Sequence, residues 1–169
     1  MPIFKRFLSA LILCGAATTL CAQEIVITFG GDVNFARTRQ TPHPDRVNKH
    51  GLHRLSDLTE VVAQEWDGDI NFVNAETAVA DRDGAIQYGK AFVFRSHTKQ
   101  FRHLMDLGVN AFALANNHAF DHGRSGLDMT RAFFEGADTP ERPLLFAGTG
   151  TVETAFHPRI ITKKGIRIA

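Results

Sequence analysis

The sequence predicts an α/β protein, a layered sandwich in which helices cover a mostly parallel sheet. Three observations carry this. Short apolar or β-branched runs recur at Glu24–Phe29, Ile70–Val73 and Ala111–Leu114. Stretches of helical period separate them, giving the order β-α-β-(excursion)-α-β. Each run also ends abruptly in polar residues. A chain that crosses over through a helix returns in the same direction, so consecutive strands of this kind are expected side by side, parallel and buried.

Met1 to Ala22 reads as a secretory signal: Lys5 and Arg6, an apolar core from Phe7 to Ala17, then a short exit ending at Ala22. Export to the periplasm, cell surface or medium is expected, leaving a domain over residues 23–169. The apolar run is short for a membrane span. Leu13 before Cys14 and Leu20 before Cys21 are too bulky for a lipid-anchor signal. Both cysteines leave with the leader, so any metal in the mature chain must be held by nitrogen and oxygen ligands. Without Lys5 and Arg6 the basic residues fall from 19 to 17 against 18 acidic ones, a net charge of about −1 with neutral His. That balance excludes a nucleic-acid partner of the usual electrostatic kind. The end, Gly165-Ile166-Arg167-Ile168-Ala169, reads as a strand without a polar tail, so a truncated, N-terminal part of a larger domain is expected.

Glu24–Phe29 is predicted as a buried first strand, with Gly30-Gly31-Asp32 as its exit. The glycines are expected to admit a ligand closely or to turn tightly, with Asn34 and Arg37 following on the same side. A turn-forming aspartate would read the same way. Thr41 to His53, with Pro42, His43, Pro44 and His50, has no period and is predicted as a loop. Leu55, Leu58, Val61, Val62 and Trp66 fall at helical spacing, with Gly68 as a stop. The second strand runs into Asn74-Ala75-Glu76-Thr77, where Asn74 and Glu76, two apart, share a side of extended backbone. Ala80 to Lys90 is predicted as an exposed excursion, and Ala91–Arg95 as a strand lateral to the main sheet.

Ser96 or Thr98 is expected to cap a helix carrying Phe101, Leu104 and Met105, ended by Gly108. The third strand delivers Ala115-Asn116-Asn117-His118-Ala119-Phe120-Asp121-His122-Gly123: two amides, two imidazoles and a carboxylate within seven positions. Ser125 to Phe134 is helical in period. Leu144–Ala147 reads as a fourth strand entering Gly148-Thr149-Gly150, which lacks the Gly-Lys-Ser/Thr of a P-loop. Arg159–Thr162 and Ile166 onward read as a hairpin through Lys163-Lys164-Gly165.

In a parallel sheet the exits at Asp32, Asn74-Ala75-Glu76 and Asn116-Asn117-His118 share one edge, where ligands bind. Two carboxylates, amide oxygens and imidazole are the donors that hold Mn²⁺, Mg²⁺, Fe or Zn²⁺. A site for one or two divalent ions follows, able to activate water and clamp an oxyanion. The same groups equally cap turns, bond one another, or hold a small anion without metal.

At these residues the sequence resembles a known family: the capsule-biosynthesis CapA, or poly-γ-glutamate synthesis, family of the calcineurin-like metallophosphatase superfamily. The resemblance rests on Phe29-Gly30-Gly31-Asp32-Val33, Asn71 to Thr77, Phe92-Val93-Phe94-Arg95, and Ala115 to Gly123 with Gly126-Leu127. It implies a four-layer α/β fold, with Asp32, Glu76 and Asn117 as metal ligands and His118 contacting the departing oxygen. Asn34, Asn74, Asn116 and Asp121 would support them. Asn34 departs from the pattern, standing where these phosphatases usually carry a histidine, and Glu76 replaces an aspartate. The later histidine motifs have no counterpart before Ala169, so at most half of a metal centre is expected. The implied partners are an anionic polymer or phosphoester and the membrane machinery of capsule synthesis. The role is either metal-dependent hydrolysis or non-catalytic export and anchoring of the polymer.

Overall fold

The computed structural model describes residues 23–35, 46–47, 53–86 and 89–169. The predicted leader, Arg37, His43 and His50 lie outside them. In chain order the first half comprises β1 (Ile27–Val33), β2 (Arg46–Val47), β3 (His53–Arg54), α1 (Leu55–Ala63), β4 (Ile70–Ala75), β5 (Ala78–Val79), β6 (Arg95–Ser96) and α2 (Thr98–Asp106). Then follow β7 (Ala111–Ala113), α3 (Gly123–Ala137), β8 (Leu145–Ala147), α4 (Val152–Ala155), β9 (Ile161–Lys163) and β10 (Ile166–Ile168). The central sheet has the order β1-β4-β7-β8, parallel throughout. The three expected strands are therefore adjacent and parallel, and the α/β class holds.

Alternation along each strand gives the sheet two apolar faces. On one, Val73, Ala75, Phe112, Leu114 and Phe146 meet Phe101, Leu104 and Met105 of α2 and Phe133, Phe134 and Ala137 of α3. Phe134 sits at the centre, its ring 5.9 Å from Phe101, 4.9 Å from Phe112 and 5.5 Å from Phe146. Burial of each such side chain contributes about 1.5–3 kcal/mol, so this face carries most of the fold's stability. On the other face Ile70 and Ala111 meet Ile161, with Phe72, Leu145 and Ile168 packed around them. The antiparallel β9–β10 hairpin only partly covers that face. It turns at Lys164-Gly165, both at positive φ (49° and 74°), the geometry of a two-residue hairpin.

Several expectations need correction. The first strand begins at Ile27 rather than Glu24, continues through Asp32 to Val33, and is an exposed sheet edge rather than a buried strand. Helix α1 ends at Ala63, and Leu58, Val61 and Val62 stay exposed; Trp66, beyond the helix, packs on the core instead. The cap of α2 is neither Ser96 nor Thr98. His97 takes the position, its Nδ1 accepting from the Lys99 N–H at 3.1 Å. Ser96 is unavailable because its hydroxyl accepts from the Phe35 N–H and donates to Thr77. It lies in the small parallel β5–β6 sheet; of the strand expected over Ala91–Arg95 only Arg95 belongs to it, and residues 91–94 are irregular. His53, read as loop, pairs in the β2–β3 ribbon. Among the described residues no helix is long and apolar enough to cross a membrane.

Candidate functional site at the carboxyl edge of the sheet

The exit of β1 is shaped by a bulge. Phe29 pairs with Phe72, but Asp32, three positions later, pairs with Asn74, two positions later. One extra residue on β1 therefore reverses the alternation. Without it Asp32 would point to the helix-covered face; with it Asp32 falls beside Asn74 on the side of Phe29 and Phe72. The two glycines differ in what they face. A Cβ on Gly30 would sit 2.5 Å from Cη2 of Trp66, so Gly30 admits the indole, while Gly31 faces open space.

From Asp32 a line of hydrogen bonds crosses three strand ends. Asn74 Nδ2 donates to Asp32 Oδ1 at 2.7 Å, and Asn116 Nδ2 donates to Asn74 Oδ1 at 3.1 Å and to the Ala75 carbonyl at 2.9 Å. Asn116 Oδ1 then accepts from the His118 N–H at 3.0 Å. Both carboxamides are thus committed to holding the exits together.

The line continues through His118 itself. Its Nδ1 lies 2.7 Å from Asp121 Oδ2. An ionised carboxylate only accepts, so Nδ1 carries the proton and Nε2 is the atom left for chemistry. The Phe94 ring stacks on the imidazole, centroids 4.0 Å apart and planes 23° apart, and the Phe94 N–H donates to Asp121 at 2.6 Å. Lys90 donates from Nζ to the other Asp121 oxygen and to the Asn117 carbonyl. Asp121 is completely buried. Burial pushes its carboxyl up, but the bonds from Lys90, His118 and the Phe94 N–H outweigh it and hold the group below the usual carboxylate range.

Lys90 and Phe94 belong to segments read as an exposed excursion and a lateral strand, and no sequence signal tied Lys90 to the site. The excursion is in fact anchored: the Gly84 N–H donates to the buried His122 at 3.2 Å, and the Ala85 N–H to Ser125. The phenylalanine of the Phe92-Val93-Phe94-Arg95 motif was the one available hint.

Asp32, Asn74, Asn116, His118 and Asp121 are therefore joined. Glu76 is tied to the exits by its backbone, its N–H reaching the Val33 and Asn74 carbonyls at 3.1 and 3.0 Å. Asn117 is exposed, as are Asp32 and Asn34. Among the described residues no three His, Cys, Asp or Glu side chains stand together as a metal-holding group. Asp32, Glu76 and Asn117 offer oxygen atoms, the donor type that suits a hard divalent cation.

The protein is of the α/β class, with a parallel sheet whose carboxyl edge gathers an acid, paired amides and an oriented histidine. More narrowly, the chain belongs to the family of the bacterial capsule synthesis protein PGA_cap, whose pattern matches residues 26–169. The match includes every residue of the edge cluster. A search of curated proteins finds no significant match.

Proposed function

We propose that this is an exported capsule-synthesis protein that binds an anionic polymer of the poly-γ-glutamate kind, or a phosphoester, at the carboxyl edge of its sheet and hydrolyses it. The observation that carries this is the Lys90–Asp121–His118 line. A buried carboxylate fixes the imidazole tautomer, a phenylalanine ring fixes its plane, and Nε2 is left to take a proton from the attacking water and pass it on to a departing oxygen or nitrogen. Asp32, Glu76 and Asn117 would hold a divalent ion, which supplies Lewis-acid activation when bound. The residues of this chain orient, exclude water and move the proton: Asn74 and Asn116 lock the exits, and Asp121 stabilises the imidazolium formed at His118.

Asp32→Ala and Glu76→Ala are expected to weaken Mn²⁺ binding together in calorimetric titration, while His118→Ala leaves metal affinity and abolishes turnover of a phosphoester or γ-glutamyl substrate. Unchanged Mn²⁺ affinity in both carboxylate variants would remove the metal from this reading. A second reading, a non-catalytic factor that holds the polymer for export or anchoring, is favoured by the missing third acid or imidazole among the described residues. Polymer binding that survives His118→Ala, with no turnover in the wild type, would select it.

A further inference from the structure

His122 takes no part in the line from Asp32 to Lys90, although it adjoins Asp121 and its side chain is completely buried. Its Nδ1 accepts the Gly84 N–H at 3.2 Å. An amide N–H only donates, so Nδ1 is unprotonated and the ring fits this place in its neutral form, with the proton on Nε2. Gly84 is pressed onto the same spot: a Cβ there would strike the His122 carbonyl and lie 2.6 Å from Ser125 Oγ. Ala85 follows it onto α3, its N–H donating to Ser125 Oγ at 3.1 Å. Gly123, at φ 61°, leaves room for the Ala85 carbonyl, which a Cβ would approach to 2.7 Å. Residues 84 and 85 are thus seated on the first turn of α3 through a titratable side chain.

A proton on Nδ1 would set two N–H groups against each other in a fully buried place. The acceptor nearest to it is Asp83, whose Oδ1 stands 3.9 Å away, beyond hydrogen-bond reach, and already takes the Arg95 Nε–H at 2.7 Å. The other charged groups on the elements around the ring are engaged elsewhere or face outward. Arg124 pairs with Asp128 on α3, and Asp121 with Lys90 and His118. Arg82 lines an open cavity of about 490 Å³ with Asp83, Ser125 and Asp128. Among the described residues none of these offers Nδ1 a hydrogen-bond acceptor where it stands.

The two ends of the excursion are held by neighbouring residues. His122 follows Asp121 directly, and Lys90, five positions beyond Ala85, donates to Asp121 and to the Asn117 carbonyl. Letting go of Gly84 and Ala85 lengthens the span that the Lys90 contact must hold in place, and the ordering cost of that span then falls on Lys90. We infer that His122 is a pH latch of the edge cluster: while neutral it seats Gly84-Ala85 on α3 and keeps Lys90 on Asp121, and on protonation it releases both. The latch regulates the site read above, and only its link to turnover rests on that reading.

The full chain would be followed by NMR from about pH 8 to about pH 5, on either side of the ordinary imidazole value of about 6.5. The signals to follow are those of the His122 ring, the exchange rate of the Gly84 amide relative to its intrinsic rate at each pH, and the Lys90 Nζ–H resonance. As His122 titrates, protection at Gly84 should fall about tenfold, the size of one lost hydrogen bond, and the Lys90 resonance should be lost in the same step. His122→Asn puts a carboxamide oxygen in place of Nδ1 and does not titrate, so both signals should hold steady across the range; its thermal midpoint reports folding. Unchanged protection at Gly84 while His122 titrates overturns the inference, as does a Lys90 resonance that persists, or a His122 ring that stays neutral until the whole chain unfolds. A folded His122→Asn with the wild-type response overturns it too, since another group would then be the source. If that variant does not fold, the coincidence of the three wild-type titrations decides alone. Turnover of a γ-glutamyl or phosphoester substrate should fall in the same step; no turnover at any pH counts against hydrolysis and leaves the latch standing.

Discussion

Asp121 decides whether the polar cluster holds its shape, because a fully buried carboxylate is tolerated only while its partners are in place. Lys90, His118 and the Phe94 N–H supply them, the bond from the Lys90 ammonium foremost. Lys90→Met should therefore lower stability by about 1–3 kcal/mol in urea unfolding near pH 7, the cost of an uncompensated buried charged group. The pH dependence has a definite sign. The folded pKa of Asp121 is depressed, so its contribution is present above the unfolded value of about 3.9 and is lost as pH falls through the folded value. Removing Lys90 raises the folded value, so acid unfolding of Lys90→Met should begin at a higher pH than in wild type. Identical urea and acid midpoints would show that Lys90 does not compensate Asp121. His118 and Asp121 were legible in sequence because they stand three apart in one polar motif. Lys90 was not: it precedes Asp121 by 31 residues, and only the contacts of Lys90 with Asp121 and of Gly84 with His122 bring the excursion onto the motif.

At the scale of elements, periodicity located the main-sheet strands and the helices α1 to α3, and the adjacency of the first three of those strands followed from right-handed crossovers. What periodicity missed were places where a side chain competes for backbone groups or where one residue is inserted. The bulge at Gly30-Gly31 is such an insertion: two glycines announce a turn as readily as a bulge, yet only the bulge places Asp32 beside Asn74. The cap of α2 is another case. Histidine is an uncommon cap, and its Nδ1 can accept from Lys99 only while unprotonated. Burial lowers the His97 pKa, against the pull of Asp81, whose carboxylate lies 3.1 Å from the same nitrogen. Because the folded pKa lies below the unfolded value of about 6.5, the stability it contributes is complete above that value and is lost as pH falls through the folded one. His97→Asn keeps a capping side chain that does not titrate. Thermal midpoints should therefore rise between pH 5 and 7 in wild type by more than in His97→Asn, and equal rises would show that protonation of His97 does not govern the helix.

Across the whole molecule the two faces of the sheet are unequal, and the difference can be measured. The helix-covered face is closed around Phe134, while the opposite face keeps a cavity of about 450 Å³ lined by Ile27, Phe29, Phe72, Leu145 and Ile168. Phe29 there is 73% exposed although it lies mid-strand. Sequence reading placed Glu24–Phe29 in the interior because an apolar run implies burial, but such a run does not reveal whether its strand lies at an edge or what covers each face. A contiguous apolar patch of this kind takes up hydrophobic dyes in the native state. Phe29→Ser should accordingly reduce 8-anilinonaphthalene-sulfonate fluorescence of the folded protein. It should cost less than about 1 kcal/mol, since little area is withdrawn from water and the contact with Phe72, centroids 5.8 Å apart, is a single aromatic pair. Phe134→Ala, from the closed face, should cost about 3–5 kcal/mol because it opens a cavity among four other rings. Urea midpoints of the two variants decide the point: a loss at Phe29→Ser as large as that at Phe134→Ala would mean that Phe29 is buried in solution and that the second face is covered.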